Sequence, residues 1–352
     1  MNPYLAVASL LLISTVFFFV PLIPAMVELK REEDGVPLKV IQEHAGEIRY
    51  FADSFRNYIK PLKDKLRECL ASGGTATGTM PDGTEYLVLG SGEEALALPL
   101  QQRDEVCPVV LVAGADLVLP SETTFSRDIY AGGGFIGGDD NQYRAVLAEK
   151  DVQLGRGSRV MRWVHAVGEF RAEQDCNLYG RISSDRAIHL QAGCRFLRLN
   201  APRIETGLLA EVEWQLPAVR SAPPLRRLLK DGNFELGAGE EFAGNLVVRG
   251  NLRLGSGARV WGSVKSGGDL MVESQVLVGG SLMSAKRLHI GPDCLIYGPV
   301  IAERELEIEA GTKCGSPECP TTVSAPSIAT EEGVVVFGTL WAREHGEVVR
   351  KS

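Results

Sequence analysis

The chain has 352 residues, 45% hydrophobic and 23% charged, a composition typical of a globular protein and not of a disordered one. Lysine and arginine number 37 against 45 aspartates and glutamates, which gives a formal charge of −8. Because no basic excess can neutralise a phosphate backbone, nucleic acid is not an expected partner. The 39 glycines lack the period of collagen and indicate many turns.

An uncharged apolar run opens the chain, from Tyr4 to Val27. At helical rise it would span about 36 Å, more than a hydrocarbon core of roughly 30 Å requires. A cleaved signal peptide would need a basic start and a shorter apolar stretch, and neither is present. The run therefore predicts an uncleaved transmembrane helix at residues 4–27.

Basic residues flank this run on its C-terminal side only, at Lys30, Arg31 and Lys39. The positive-inside rule then predicts a single-pass inner-membrane protein whose body lies in the cytoplasm. Because the rule rests here on two or three charges, a periplasmic body is the alternative.

Residues 36–70 are predicted to form a membrane-proximal amphipathic helical region. Large apolar side chains such as Phe51 and Phe55 recur there at three- and four-residue spacing. Pro61 is expected to break the region into a long helix and a short one. The apolar face is expected to pack on the body of the protein, and contact with anionic lipid is the alternative. Residues 71–110 follow as a connecting region.

An internal repeat of 18 residues indicates the fold. Between residues 234 and 314, four registers of mainly aliphatic side chains and one register of glycines recur over four or five copies without a gap. The same frame appears in residues 152–207. One register of the later copies reads Phe234, Leu252, Leu270, Leu288 and Leu306.

Within each unit apolar residues alternate as in a strand, and a glycine or polar pair then turns the chain. Three short strands per unit make a triangular coil, onto which the next coil hydrogen-bonds at roughly 4.8 Å. The sequence therefore predicts an all-β parallel β-helix behind the N-terminal helices. Its first block is predicted at 111–207, with an inserted glycine-rich loop at 132–142. An excursion at 208–233, which is a loop, a short helix or a hinge, separates it from a second block at 234–341. A polar tail follows at 342–352.

The clearest repeats, from Phe234 to Ile308, resemble the bactofilins, a family of polymer-forming cytoskeletal proteins. The resemblance lies in the aliphatic, glycine–acid and V-x-G-x-V elements of NLVVRGNLRLGSGARVWGSVKSGGDLMVESQVLVGGSLMSAKRLHIGPDCLIYGPV. It implies a right-handed β-helix that assembles end to end without a nucleotide. It also implies a scaffold at the bacterial inner membrane for envelope or surface-polysaccharide machinery. The implied partners are other copies of the chain, the membrane through residues 4–27, and envelope proteins.

The alternative function is a hexapeptide-repeat acyltransferase, because pairs such as Ile290 and Cys294 also satisfy an aliphatic-then-small rule. Such an enzyme needs a histidine base on the coil surface. His165, His189 and His289 fall on outward positions, but no acid next to them in sequence is placed to orient them. No catalytic residue is therefore assigned.

Seven cysteines are spread too thinly for a disulfide scaffold. Cys176 and Cys194 fall on adjacent coils, where thiols are expected and a disulfide is the alternative. Cys314 and Cys319 are close in sequence, but a zinc site needs four ligands and no second pair follows. No metal or cofactor is predicted.

The repeat ends in an apolar segment, GVVVFGTLW at residues 333–341. The terminal turns of a β-helix have unpaired backbone groups that another strand can pair with. This segment is therefore the predicted self-association surface, through Val335, Phe337 and Leu340. Dimers are expected if the helical region at 41–70 covers the other end, and filaments if it does not.

Overall fold

A computed structural model describes residues 9–10, 14–15, 17–20, 48–90, 105–207 and 226–350. The chain divides into two units, residues 1–50 and residues 51–352. In the first unit the described residues up to position 19 are helical. Beyond residue 47, the helices of the described chain are α1 (Tyr50–Tyr58), a 3-10 helix (Lys60–Leu62) and α2 (Lys63–Ser72).

The transmembrane helix predicted at residues 4–27 is wrong. No helix in the part of the chain that the structure describes is long and apolar enough to cross a membrane. The described residues of this segment end in a turn at Val20, and the others lie outside the description. An apolar run specifies a preference for burial and does not by itself set the length of a helix. The predicted single-pass inner-membrane location depended on this helix and is corrected with it.

The two helices pack on the outer face of a β-sheet, as their apolar spacing predicts. Phe55 is buried and its ring lies 5.9 Å from that of Trp163 on the sheet. Pro61 lies in the 3-10 helix that separates α1 from α2. Gly73 ends α2 in the left-handed conformation, with φ of +67°, which glycine adopts without strain.

The remainder of the second unit is a parallel β-solenoid of about 13 turns with 18-residue spacing, which confirms the predicted repeat fold. The first block comprises β1 (Thr75–Thr79), β2 (Glu85–Leu89), β3 (Val106–Cys107), β4 (Val110–Ala113), β5 (Leu117–Val118), β6 (Thr124–Ala131), β7 (Phe135–Gly137), β8 (Gln142–Ala148), β9 (Val152–Leu154), β10 (Arg159–Ala166), β11 (Phe170–Ala172), β12 (Asn177–Ser184), β13 (Ala187–Leu190) and β14 (Arg195–Thr206).

The second block comprises β15 (Arg226–Lys230), β16 (Phe234–Leu236), β17 (Glu241–Phe242), β18 (Gly244–Val248), β19 (Leu252–Leu254), β20 (Arg259–Val260), β21 (Val264–Ser266), β22 (Leu270–Val272), β23 (Leu277–Val278), β24 (Leu282–Ser284), β25 (Leu288–Ile290), β26 (Leu295–Ile296), β27 (Val300–Ala302), β28 (Glu305–Ile308), β29 (Lys313–Cys314), β30 (Thr321–Glu331) and β31 (Val335–Val349).

Inward side chains stack in register from one turn to the next. Val264, for example, pairs with Leu246 on one side and Leu282 on the other, and all three are fully buried. A single hydrophobic core built from such ladders extends through both blocks.

The two blocks meet tail to tail. β14, the last turn of the first block, pairs antiparallel with β31, the last turn of the second, so that Arg195 lies opposite Glu347 and Glu205 opposite Val335. Because β31 is parallel to β30, the second block is inverted relative to the first. Residues 342–349, predicted as part of a polar tail, are therefore strand, since their backbone groups pair within this junction.

The glycine-rich segment at 132–142, predicted as an inserted loop, contributes a strand to the coil. Phe135 in β7 is buried in the core. A Cβ atom at Gly137 would collide with the Tyr143 hydroxyl, so glycine is required there for close packing and does not mark a loop.

The other two predicted irregular regions also contain strands. The connecting region at 71–110 holds the antiparallel hairpin β1–β2, and β2 joins the solenoid by parallel pairing with β4. Of the excursion at 208–233, residues 208–225 lie outside the described chain, whereas residues 226–230 form β15, the first strand of the second block.

Candidate functional site

The predicted self-association residues lie inside the chain's own junction. Val335 pairs with Lys313 on one side and Glu205 on the other. Leu340 is fully buried and is likewise paired on both sides, while Phe337 is half-buried. The C-terminal strand therefore has no open edge at these residues for a second molecule. Its apolar pattern predicted pairing, but the partner is the first block of the same chain.

An open edge is found instead at the first turn of the second block, residues 226–243, here named the open turn. Its strands β15, β16 and β17 each pair with the following turn and, among the described residues, with no strand on the other side. The core side chains Leu228, Phe234 and Phe242 are only partly buried. Leu246, one turn further in, is fully buried. The cross-section of the core is thus incompletely covered at this end.

The far end of the first block differs. Its first core side chains, Leu87, Cys107 and Leu119, are at most 4% exposed. Within the described chain, the open turn is therefore the outer end of the solenoid that leaves apolar core partly accessible.

The open turn carries charges of both signs. Its strand β15 contributes three basic residues, Arg226, Arg227 and Lys230. The rest of the turn contributes four acidic residues, Asp231, Glu235, Glu240 and Glu241. Such a surface can be complementary to a second copy of itself.

Two of the candidate histidines are held by acids from neighbouring turns. His289 has its Nδ1 atom 3.1 Å from Glu307 and its Nε2 atom 3.0 Å from Glu309. His189 has its Nδ1 atom 2.9 Å from Glu205. The sequence showed no acid next to these histidines, and the acids that orient them come from neighbouring turns. The acids are distant in sequence, but a step of one 18-residue turn from His289 would have found Glu307.

His165 is buried, with 2% of its surface exposed, although its position in the frame is outward. Its Nδ1 atom lies 2.9 Å from the Ser183 hydroxyl, and its Nε2 atom lies 3.9 Å from Asp185. These are the residue types of a hydrolase triad. Ser183, however, is itself only 6% exposed and donates to the carbonyl of Val164. A substrate has no access to this group, so we assign it a structural role, and the acyltransferase alternative stays a prediction.

Charged residues surround the junction on its outer side. Glu205 is buried, which raises its pKa, but the hydrogen bond from His189 and the charge of Arg203 outweigh burial and hold the pKa below its usual value. Burial and the charge of Arg203 lower the pKa of Lys313 to about 8. The cluster balances charge where the two blocks meet.

All seven cysteines are free, and six of them are buried. The hydrogen bond with Cys194 and burial both raise the pKa of Cys176, so this core thiol stays protonated. Cys314 is fully buried whereas Cys319 is exposed, so the pair does not present two ligands to one ion. Among the described residues no group of three or more His, Cys, Asp or Glu side chains is placed to hold a metal.

A groove of about 620 Å³ runs along the outer face of the second block. It includes His289, and its two arginines are already paired: Arg287 lies 3.0 Å from Asp269, and Arg253 pairs with Glu273. The charges of these two arginines are therefore already neutralised within the chain.

No protein-family model, no curated protein and no solved structure matches this chain. The resemblance to the bactofilins stays a prediction from the repeat pattern.

Proposed function

We propose that this protein is a self-associating β-solenoid scaffold, bactofilin-like in principle, that organises partner proteins. The observation that carries the proposal is the open turn at residues 226–243. There the strand edges are paired on one side among the described residues, and the core side chains Leu228, Phe234 and Phe242 are partly exposed. Unpaired backbone groups next to accessible apolar surface favour the addition of another strand.

The occupant is a second copy of the same turn. Within the chain, β14 and β31 already join two solenoid ends by antiparallel pairing, from Arg195 opposite Glu347 to Glu205 opposite Val335. Two open turns that meet head to head would repeat this geometry around a twofold axis, with the basic strand β15 able to face acidic residues of the other copy.

The expected product is a closed dimer. The last strands of the two blocks are already paired with each other in the internal junction, and the core at the far end of the first block is buried. One open end per chain allows one contact, so growth stops at two copies.

Light scattering of the full chain tests the proposal. We expect the mass of a dimer, and we expect Leu228→Glu to shift the protein to monomer, because a carboxylate would be buried at the interface without a partner. Met271→Glu is the matched control, since this side chain is 46% exposed on the outer face of the second block. Circular dichroism checks that both variants fold.

A monomeric unmodified chain would overturn the proposal. So would equal dissociation of the two variants, because association would then depend on net charge and not on the open turn.

A further inference from the structure

One arginine per turn lines a corner of the first block over five consecutive turns. We name this set the arginine ladder, which consists of Arg127, Arg144, Arg162, Arg181 and Arg198. Each of these residues occupies the same ladder position, or the position directly before it, in β6, β8, β10, β12 and β14. With a rise of roughly 4.8 Å per turn, the four steps cover about 19 Å.

The ladder carries far more positive than negative charge. Asp128 is the carboxylate on the same rows, and its Oδ1 atom lies 3.3 Å from Arg144. Burial raises the pKa of Asp128, although Arg144, Arg162 and Arg127 oppose this rise. Three of the five guanidinium groups, those of Arg127, Arg144 and Arg162, therefore act on one partly buried acid.

The last two arginines of the ladder are held by aromatic rings and not by acids. Arg181 lies 5.3 Å from the ring centre of Phe51, and Arg198 lies 5.2 Å from that of Trp341. Arg181 and Arg198 are direct partners on adjacent strands, and burial together with the charge of Arg181 lowers the pKa of Arg198. Two stacked like charges are unfavourable alone and become favourable when an anion bridges them.

Apolar side chains are exposed along the same corner. Met161 is 46% exposed and Tyr179 49% exposed, both directly beside ladder positions, and Trp341 is 40% exposed where the ladder reaches the junction. Flat apolar surface between cations suits a ligand that combines rings with charge.

We propose that the arginine ladder binds a linear acidic polysaccharide. The guanidinium fork matches a carboxylate in geometry, and such a polymer presents carboxylates at regular intervals that a row of arginines can meet. Its rings can lie against Tyr179 and Trp341. The proposal is independent of self-association, because the ladder lies on the first block and the open turn on the second.

Fluorescence anisotropy with labelled polygalacturonate and the full chain tests the proposal. We expect binding that weakens as salt is added, and a loss of about tenfold in affinity with a shallower salt dependence for R181Q/R198Q. The control R186Q/R259Q removes the same charge from two exposed arginines outside the ladder, and we expect its affinity to stay within about twofold. Thermal denaturation verifies that both variants remain folded.

Three results would overturn the proposal. The first is an equal loss in the two double variants. The second is binding that does not require charge, seen either as equal affinity for uncharged dextran or as an affinity that does not change with salt concentration. The third is tighter binding of a single-stranded oligonucleotide than of polygalacturonate, which would assign the ladder to nucleic acid.

Discussion

Single positions of the solenoid are defined by their place in an 18-residue turn. Val264 and Lys265 are neighbours in sequence, yet Val264 is fully buried between Leu246 and Leu282 while Lys265 is exposed. Successive side chains of a strand point to opposite faces, so one step along the chain changes the environment from core to water.

This difference predicts that an aspartate destabilises the protein strongly at position 264 and only slightly at position 265. Val264→Asp is expected to lower the free energy of unfolding by about 4 kcal/mol, because it buries a carboxylate without a partner. Lys265→Asp is expected to change it by less than about 1 kcal/mol. Chemical denaturation followed by circular dichroism measures both, and equal shifts would contradict the inward and outward frame.

The environments of the histidines are also set by their place in the 18-residue turn. Glu307 lies one turn after His289, and Ser183 lies one turn after His165. The partners of these histidines are therefore found 18 residues further along the chain, because adjacent residues in a strand point to opposite faces and do not meet.

At the scale of elements, the junction between β14 and β31 decides how the blocks are arranged. Gly346 lies opposite Phe196 in this pairing, and a Cβ atom at Gly346 would collide with the Phe196 ring. The absence of a side chain therefore allows the two tail strands to approach.

Gly346→Val is expected to loosen the junction, since the valine methyl groups have no space beside the Phe196 ring. Hydrogen exchange should become faster in β14 and β31 and stay slow in the turns between residues 252 and 308. The control is Glu344→Val, which adds valine to an exposed position of the same strand. Unchanged exchange in β14 for Gly346→Val would show that the close approach is dispensable.

At the scale of the whole solenoid, one hydrophobic core joins the two blocks. Repeat proteins often lose cooperativity over long arrays, because each turn contacts only its neighbours. Here the antiparallel junction pairs residues 195–205 of one block with residues 335–347 of the other. We therefore expect calorimetry of the unmodified chain to record one unfolding transition. Two well-separated transitions would mean that the blocks are thermally independent.

The sequence by itself determined the repeat, its inward ladders and the parallel β-solenoid from residue 234 to residue 308. A pattern that recurs every 18 residues also fixes which residues pair, because each residue pairs with the one 18 positions further on. Hydropathy did not determine the predicted span at 4–27, since an apolar run specifies a preference for burial and not the length of a helix. Only the tertiary structure decided that β31 pairs antiparallel with β14, which uses the C-terminal edge inside the chain and leaves residues 226–243 open. The physical reason is that an apolar strand can pair on either edge and in either direction with equal local propensity. Its partner is selected by contacts such as Arg195 with Glu347, which lie far apart in the chain and have no local signature.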